Sequence, residues 1–248
     1  PPAPASAPGG HRQRPCLGAS AAARTRPAAA GKKPLGKKRP RRPRGGFGLP
    51  TVSDAPVTDY DTGPKELTIV KYPHPALRRP NALVEKFDEK VRQLADNLFA
   101  AMYKEDDPPG IGLAAPQVGV NVRMMVYNPL RTYDEENRHG NKVFVNPQIV
   151  ARSDDKEEDY EACLSFPKMN GLVSRPTWVE IEAADVDGKP LRERFEGEEA
   201  RVFQHEFDHL DGVVYVDHLE DDERKRLRPK LDGLIRDYED RGGKEPAL

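Results

Sequence analysis

Residues 204–210 read Gln-His-Glu-Phe-Asp-His-Leu, QHEFDHL, and the whole chain is interpreted differently according to whether they form a helix. On a helix, positions i and i+4 share a face with their Cβ atoms about 5–6 Å apart. His205 and His209 would then close on one metal ion, with Glu206 beside them as a general base. The flanks favour a helix. EGEEARVFQHEFDHL places acidic residues in the first turn, where the macrodipole welcomes them, and Asp211-Gly212 is a stop signal. The bland alternative is a chance spacing on a solvated helix.

Outward from this stretch, the chain divides into two kinds of polymer. Residues 1–50 carry 12 Lys or Arg and no acid, leaving 28 basic against 41 acidic residues over 51–248, a balance of −13. The first part is rich in Ala, Pro, Gly, Arg and Lys and too poor in large apolar residues to build a core. It reads as a disordered leader over 1–60, of the organellar transit type although low in Ser. The competing reading of KKPLGKKRPRRPR is a nuclear or nucleic-acid-binding arm. The acidic remainder offers no second basic surface for a polyanion, so no nucleic acid is expected on the body. Pro1 in place of Met predicts that residues precede it. No run approaches the roughly 18 apolar residues of a membrane span. Two cysteines, Cys16 and Cys163, do not make a disulfide framework, and they suit a reducing compartment.

Within the body, Val91, Leu94, Ala95, Leu98 and Met102 recur at helical spacing after Asp88, a candidate N-cap. VRMMVYN and KVFVNPQIV read as strands. TWVEIEAADVDGKPLRERFEG reads as a hairpin, with Val179, Ile181 and Ala183 on one face, Asp187-Gly188 as the turn, and Leu191 and Phe195 returning. Leu231, Leu234, Ile235 and Tyr238 mark a last amphipathic helix, whose first turn would suit Pro229. The expected class is α+β, because strands and helices occur without regular βαβ alternation.

A catalytic metal site needs three protein ligands and one open position. His11, His74, His139 and His218 do not stand out, whereas Cys163 does, because a thiolate binds borderline divalent ions well. Its alternative role is a small buried hydrophobe. GIGLAAPQVG, residues 110–119, matches a loose dinucleotide fingerprint through Gly110, Gly112 and Ala115. DDPP before it and Pro116 after it argue against a Rossmann turn. The glycines instead suggest backbone close to a ligand, and Gln117 adds an amide able to donate to an oxyanion.

With GIGLAAPQ, EACLS and QHEFDH in that order, the chain resembles peptide deformylase over roughly residues 66–222, and YPHPALR, MVYNP and FQHEFDHLDG are most similar to the plastid type. The resemblance implies antiparallel sheets packed around a central helix carrying HEFDH, followed by a C-terminal amphipathic helix. It divides the chain into a leader (1–60), a catalytic domain (64–222) and a C-terminal helix with its tail (223–248). It further implies Fe²⁺, or Zn²⁺ or another divalent ion, on Cys163, His205 and His209. Glu206 would be the base, with Gln117 and the backbone N–H of Leu164 as oxyanion donors. Ile111 and Gly112 would border the substrate backbone and Val202 the methionine pocket. Glu161 and Arg175 match a bracing ion pair of the family; otherwise they are ordinary surface charges.

The implied substrates are nascent N-formylmethionyl polypeptides, with an organellar ribosome as a further partner and the plastid stroma, or else the mitochondrion, as compartment. One departure is Ala162, where the family usually has Gly. A positive φ there would cost about 1 kcal/mol, and the methyl would narrow the substrate path. Two other readings stay open. A zinc peptidase shares HExxH but usually takes its third ligand downstream, and a metal-stabilised binding module would close its site with a fourth ligand.

Overall fold

The computed structural model describes residue 62 and residues 66–104, 110–130 and 140–248. The leader proposed for residues 1–60, with Cys16 and His11, lies outside these, as does His139.

Helix α1 (Glu89–Lys104) begins where the sequence signals it: the Asp88 carboxylate accepts the Lys90 N–H at 3.0 Å. Val91, Leu94, Leu98 and Met102 are removed from solvent along one stripe. They pack on an antiparallel sheet built from β1 (Gly112–Ala114), β2 (Met124–Tyr127), β3 (Lys142–Arg152), β6 (Trp178–Ala184) and β7 (Pro190–Glu196), in the order β1-β2-β3-β6-β7. A separate pair is formed by β4 (Lys156–Ala162) and β5 (Asn170–Pro176).

Strand β2 shows why its sequence is apolar throughout. Met124 and Val126 join the cluster beneath α1, while Met125 and Tyr127 join a second cluster on the opposite face. That face is covered by helix α2 (Gly197–Leu210), which lays Ala200, Phe203 and Leu210 against Val179, Ile181 and Phe195. Phe203 stacks on Phe195 at 5.3 Å and meets Phe144 edge-on at 5.4 Å. Each buried aromatic side chain contributes on the order of 2 kcal/mol. The helix carrying HEFDH is therefore central, and the α+β expectation is borne out.

Both ends of α2 are pinned. Its first residue, Gly197, has φ 56 and donates to the Thr177 carbonyl at 2.9 Å. At the other end, Gly212 (φ 69) turns the chain away. Buried Asn81 donates to the carbonyls of His209 and Leu210 at 3.2 and 3.0 Å, and Arg123 donates to Leu210 at 3.0 Å while lying over the Phe207 ring. These bonds satisfy carbonyls that a helix end leaves open.

The β6–β7 hairpin turns as expected: Gly188 has φ 80, and Asp185 Oδ1 accepts the N–H groups of Asp187 and Lys189. In β3 the expected strand is interrupted. Asn146 (φ 51) precedes Pro147 at a register shift, and its amide exchanges two 2.8 Å bonds with Val84. A proline is tolerated in a strand at such a bulge.

Pro229 departs from the sequence reading. The last helix, α3 (Asp221–Asp240), starts well before it, and Pro229 lies in its interior rather than its first turn. Asp221, Asp222 and Glu223 supply an acidic first turn. Leu227 and Leu231, on either side of the proline, are buried with Phe166, Val214 and Leu219. That packing outweighs one missing hydrogen bond on an exposed position. No helix among the described residues is long and apolar enough to cross a membrane.

Candidate active site

Helix α2 presents His205 and His209 to the loop that follows β4, where Cys163 stands. The Cys163 Sγ lies 3.3 Å from His209 Nε2. One donor atom from each of Cys163, His205 and His209 falls within 4.8 Å of the others, and all three residues are buried. The His205 Nδ1 faces Glu161 Oε2 at 2.9 Å. Donation of Nδ1–H to that carboxylate leaves the Nε2 lone pair for an ion, as in carboxylate–histidine–metal arrangements. The donor chemistry of one thiolate and two imidazoles fits a borderline divalent ion, with room for a further ligand on the cavity side.

Glu161 is held in turn by Arg175, through Nε–Oε1 at 2.8 Å and Nη2–Oε2 at 2.9 Å, and by Arg201 Nη1 at 2.9 Å. Arg175 also reaches Asp208 Oδ2 at 2.5 Å, which His218 Nε2 approaches at 2.7 Å. Burial alone would raise the Glu161 carboxyl; the bonds from Arg175 and His205 outweigh it and hold the group well below the usual carboxylate range. Glu161 and Arg175 are both about 5% exposed, so they are not ordinary surface charges. This charged network sits beneath the imidazole it orients.

Glu206 points from the same helix into the site. Burial pushes its carboxyl up to about 7, near the value that suits a general base at neutral pH. Its Oε2 is buried with no protein partner among the described residues. Gly112 makes the space: a Cβ there would lie 2.7 Å from Glu206 Cγ and 2.8 Å from its Oε1. Gln117 comes from a 3-10 turn over Ala115–Val118. Its Oε1 accepts the Ala114 N–H at 2.8 Å, which leaves the Nε2 donors facing Cys163 Sγ and Ser165 Oγ, each at 3.5 Å. Leu164 is fixed beside the thiol by the bond from Lys71 Nζ to its carbonyl at 3.0 Å.

A cavity of about 1070 Å³ opens onto this centre, lined by Ile111, Gly112, Gln117, Cys163, Leu164, Val202, His205 and Glu206. His209 lies beneath its floor, without solvent exposure. Ala162 also lines the cavity. It is the last residue of β4, paired with Asn170, and is not among the residues of positive φ. The backbone penalty therefore does not arise, and its methyl acts only by its size.

Several supporting residues escaped the sequence reading. Asp208 lies inside HEFDH and Arg201 one turn before His205, so both shared the metal helix, but nothing in their spacing showed which partners would bury them. Asn81, Arg123 and His218 carried no local signal.

A buried thiol–imidazole–imidazole group able to hold a metal, with a buried carboxyl beside it at the foot of an open cavity, is the arrangement of a metal-dependent hydrolase. Residues 66–225 match the family model described as polypeptide deformylase, and the chain belongs to the peptide deformylase family. It is 41% identical over 217 residues to the chloroplastic peptide deformylase 1B of Oryza sativa subsp. japonica, covering 85% of this chain and 77% of that protein. It is 42% identical over 166 residues to the peptide deformylase of Pseudomonas aeruginosa, covering 67% and 94%. The crystal structure of Arabidopsis thaliana peptide deformylase 1B with an inhibitor superposes with a TM-score of 0.67 at 42% identity, over 73% of this chain and 96% of that one.

Proposed function

We propose that this chain removes the formyl group, as formate, from N-formylmethionine on newly made plastid proteins, with Glu206 carrying the proton and Gln117 and the Leu164 N–H receiving the oxyanion. The observation that carries this reading is the Glu206 carboxylate, buried against Gly112 and adjacent in sequence to a histidine of the group that could hold a metal. A divalent ion on Cys163, His205 and His209 supplies, when bound, the Lewis acidity that brings a water into deprotonation range near neutral pH. Glu206 takes the proton as the water oxygen adds to the formyl carbon, then delivers it to the departing amine nitrogen. Negative charge on the formyl oxygen meets the Leu164 N–H and the Gln117 amide, the latter already oriented by its bond from the Ala114 N–H. Ile111 and Gly112 flank the peptide backbone and Val202 the methionine side chain.

Fe²⁺ is the proposed native ion. Zinc binds such donors more tightly, so supply in the cell decides between them. The plastid is where bacterial-type ribosomes make formylated chains, and the plant relatives are chloroplastic, the Arabidopsis protein also mitochondrial. An organellar ribosome is the proposed source of the substrate. The test offers formyl-Met-Ala-Ser and Met-Ala-Ser to the metal-loaded chain. Formate from the first and no cleavage of either peptide bond is expected; cleavage of the unformylated peptide would instead assign a zinc peptidase.

A further inference from the structure

The mouth of the cavity carries charge that the hydrolysis does not use. Lys168 stands in the turn between Cys163 and β5, Lys230 comes from the middle of α3, and both line the cavity while remaining exposed. The Lys230 Nζ donates to the Lys168 carbonyl at 2.9 Å, and neither ammonium has a carboxylate partner among the described residues. Deeper in, Arg175 and Arg201 are already bonded to Glu161. Strand β4 adds Glu157 and Asp159 to the lining of the same cavity. Two uncompensated cations thus occupy one wall, in a body whose net charge is strongly negative.

The backbone adds an independent indication. Lys168 has φ 59, a left-handed conformation that suits glycine and that a side chain adopts only against a steric cost. The turn is held by Phe166 and Met169, which are buried beneath it, and by the bond from Lys230. A lysine that stands where glycine would fit more easily, on a well-anchored turn at a cavity mouth, points from strain to function.

We propose that Lys168 and Lys230 form a charge-selective subsite, taking the carboxylate side chain of a residue downstream of the formylmethionine. The proposal rests on the deformylase reading. A peptide whose formyl group sits at the Cys163–His205–His209 centre leaves through this mouth. Its acidic side chains are drawn to the lysine wall and its basic ones to Glu157 and Asp159. Exposed charge pairs of this kind change affinity by about two- to fivefold and weaken with salt.

The test uses the metal-loaded full chain and C-terminally amidated peptides based on formyl-Met-Ala-Gln-Ala, with Gln, Glu or Lys at each of positions two to four. At one position Glu is expected to exceed Gln in kcat/KM by about two- to fivefold, chiefly through KM, and the advantage should fade in about 0.5 M salt. The ratio should fall to one in Lys168→Ala/Lys230→Ala and turn in favour of Lys in Lys168→Glu/Lys230→Glu. Lys168→Gly separates selectivity from folding, with a higher Tm and a reduced Glu preference expected. No Glu preference at any position in the wild type would overturn the proposal, as would a preference that survives the double alanine variant. So would an equal loss on all peptides. The Gln peptide distinguishes the two readings, since absence of formate from it would overturn the deformylase assignment and the subsite with it.

Discussion

Gln117 illustrates how one side chain is prepared before any substrate arrives. Its oxygen is committed to the Ala114 N–H, so its amide cannot flip, and its Nε2 donors face the Cys163 thiol and the Ser165 hydroxyl. Loss of one such donor costs about 2.7–4 kcal/mol of transition-state stabilisation. Gln117→Leu is accordingly expected to lower kcat by about 100-fold or more while retaining the metal, as steady-state rates and metal analysis would show; a normal rate would remove Gln117 from the chemistry. The grouping of His205 and His209, with Glu206 beside them, was readable because a helix converts a four-residue spacing into proximity. Cys163 was readable because few other candidates existed. Glu161 and Arg175 matched a family pair, but their burial was not legible, since whether a charge is buried depends on partners such as Asp208 and Arg201 that only the fold brings near.

At the scale of elements, β4 shows where pattern fails. KEEDYEA is polar at nearly every position, with Glu161 its one buried residue, so it carries no apolar alternation to mark a strand. Its role is to deliver Glu161 and Cys163 to α2. Glu161→Gln removes the negative charge between His205 and Arg175. The expected result is a 10–100-fold weaker metal affinity, measured against a competing chelator, and a stability loss of about 2 kcal/mol from weakened charged hydrogen bonds, since Arg175 keeps Asp208 as its partner. Unchanged affinity and Tm would contradict the bracing role. Helix α3 was legible from Leu231 onward but not from its start, because Pro229 reads locally as a boundary. Pro229→Ala restores a backbone donor at an exposed helix position. A rise in Tm with unchanged formate release is expected, and a fall in Tm would show that the proline is required there.

At the scale of the whole molecule, α2 is enclosed by the five-stranded sheet on one side and, on the other, by the cluster of Phe166, Val214, Tyr215 and Leu227 that α3 completes. The C-terminal residues return to the segment around Pro73: Ala247 N–H donates to the Pro73 carbonyl at 2.9 Å, and His74 packs edge-on against Tyr238. The His74 Nδ1 accepts the Ala76 N–H, which requires the neutral ring. Burial, and then Arg79, lower its pKa from the ordinary value near 6.5. With the folded value below the unfolded one, stability is full above about pH 6.5 and declines as pH falls from there. An NMR titration of His74 should give a midpoint below that of an unfolded histidine, and a higher midpoint would contradict this. The α+β class and the order of the motifs were visible in the sequence; the enclosure of α2 was not, because it depends on contacts between segments far apart in the chain.

The most direct test of the central claim is formate release from formyl-Met-Ala-Ser by the full chain, purified without oxygen and loaded with Fe²⁺, beside Glu206→Gln carrying the same metal content. Release by the wild type and a loss of about 10²–10⁴-fold in the variant are expected for a proton carrier of this kind. A variant that keeps its rate, or a metal-loaded wild type that releases no formate, would contradict the account.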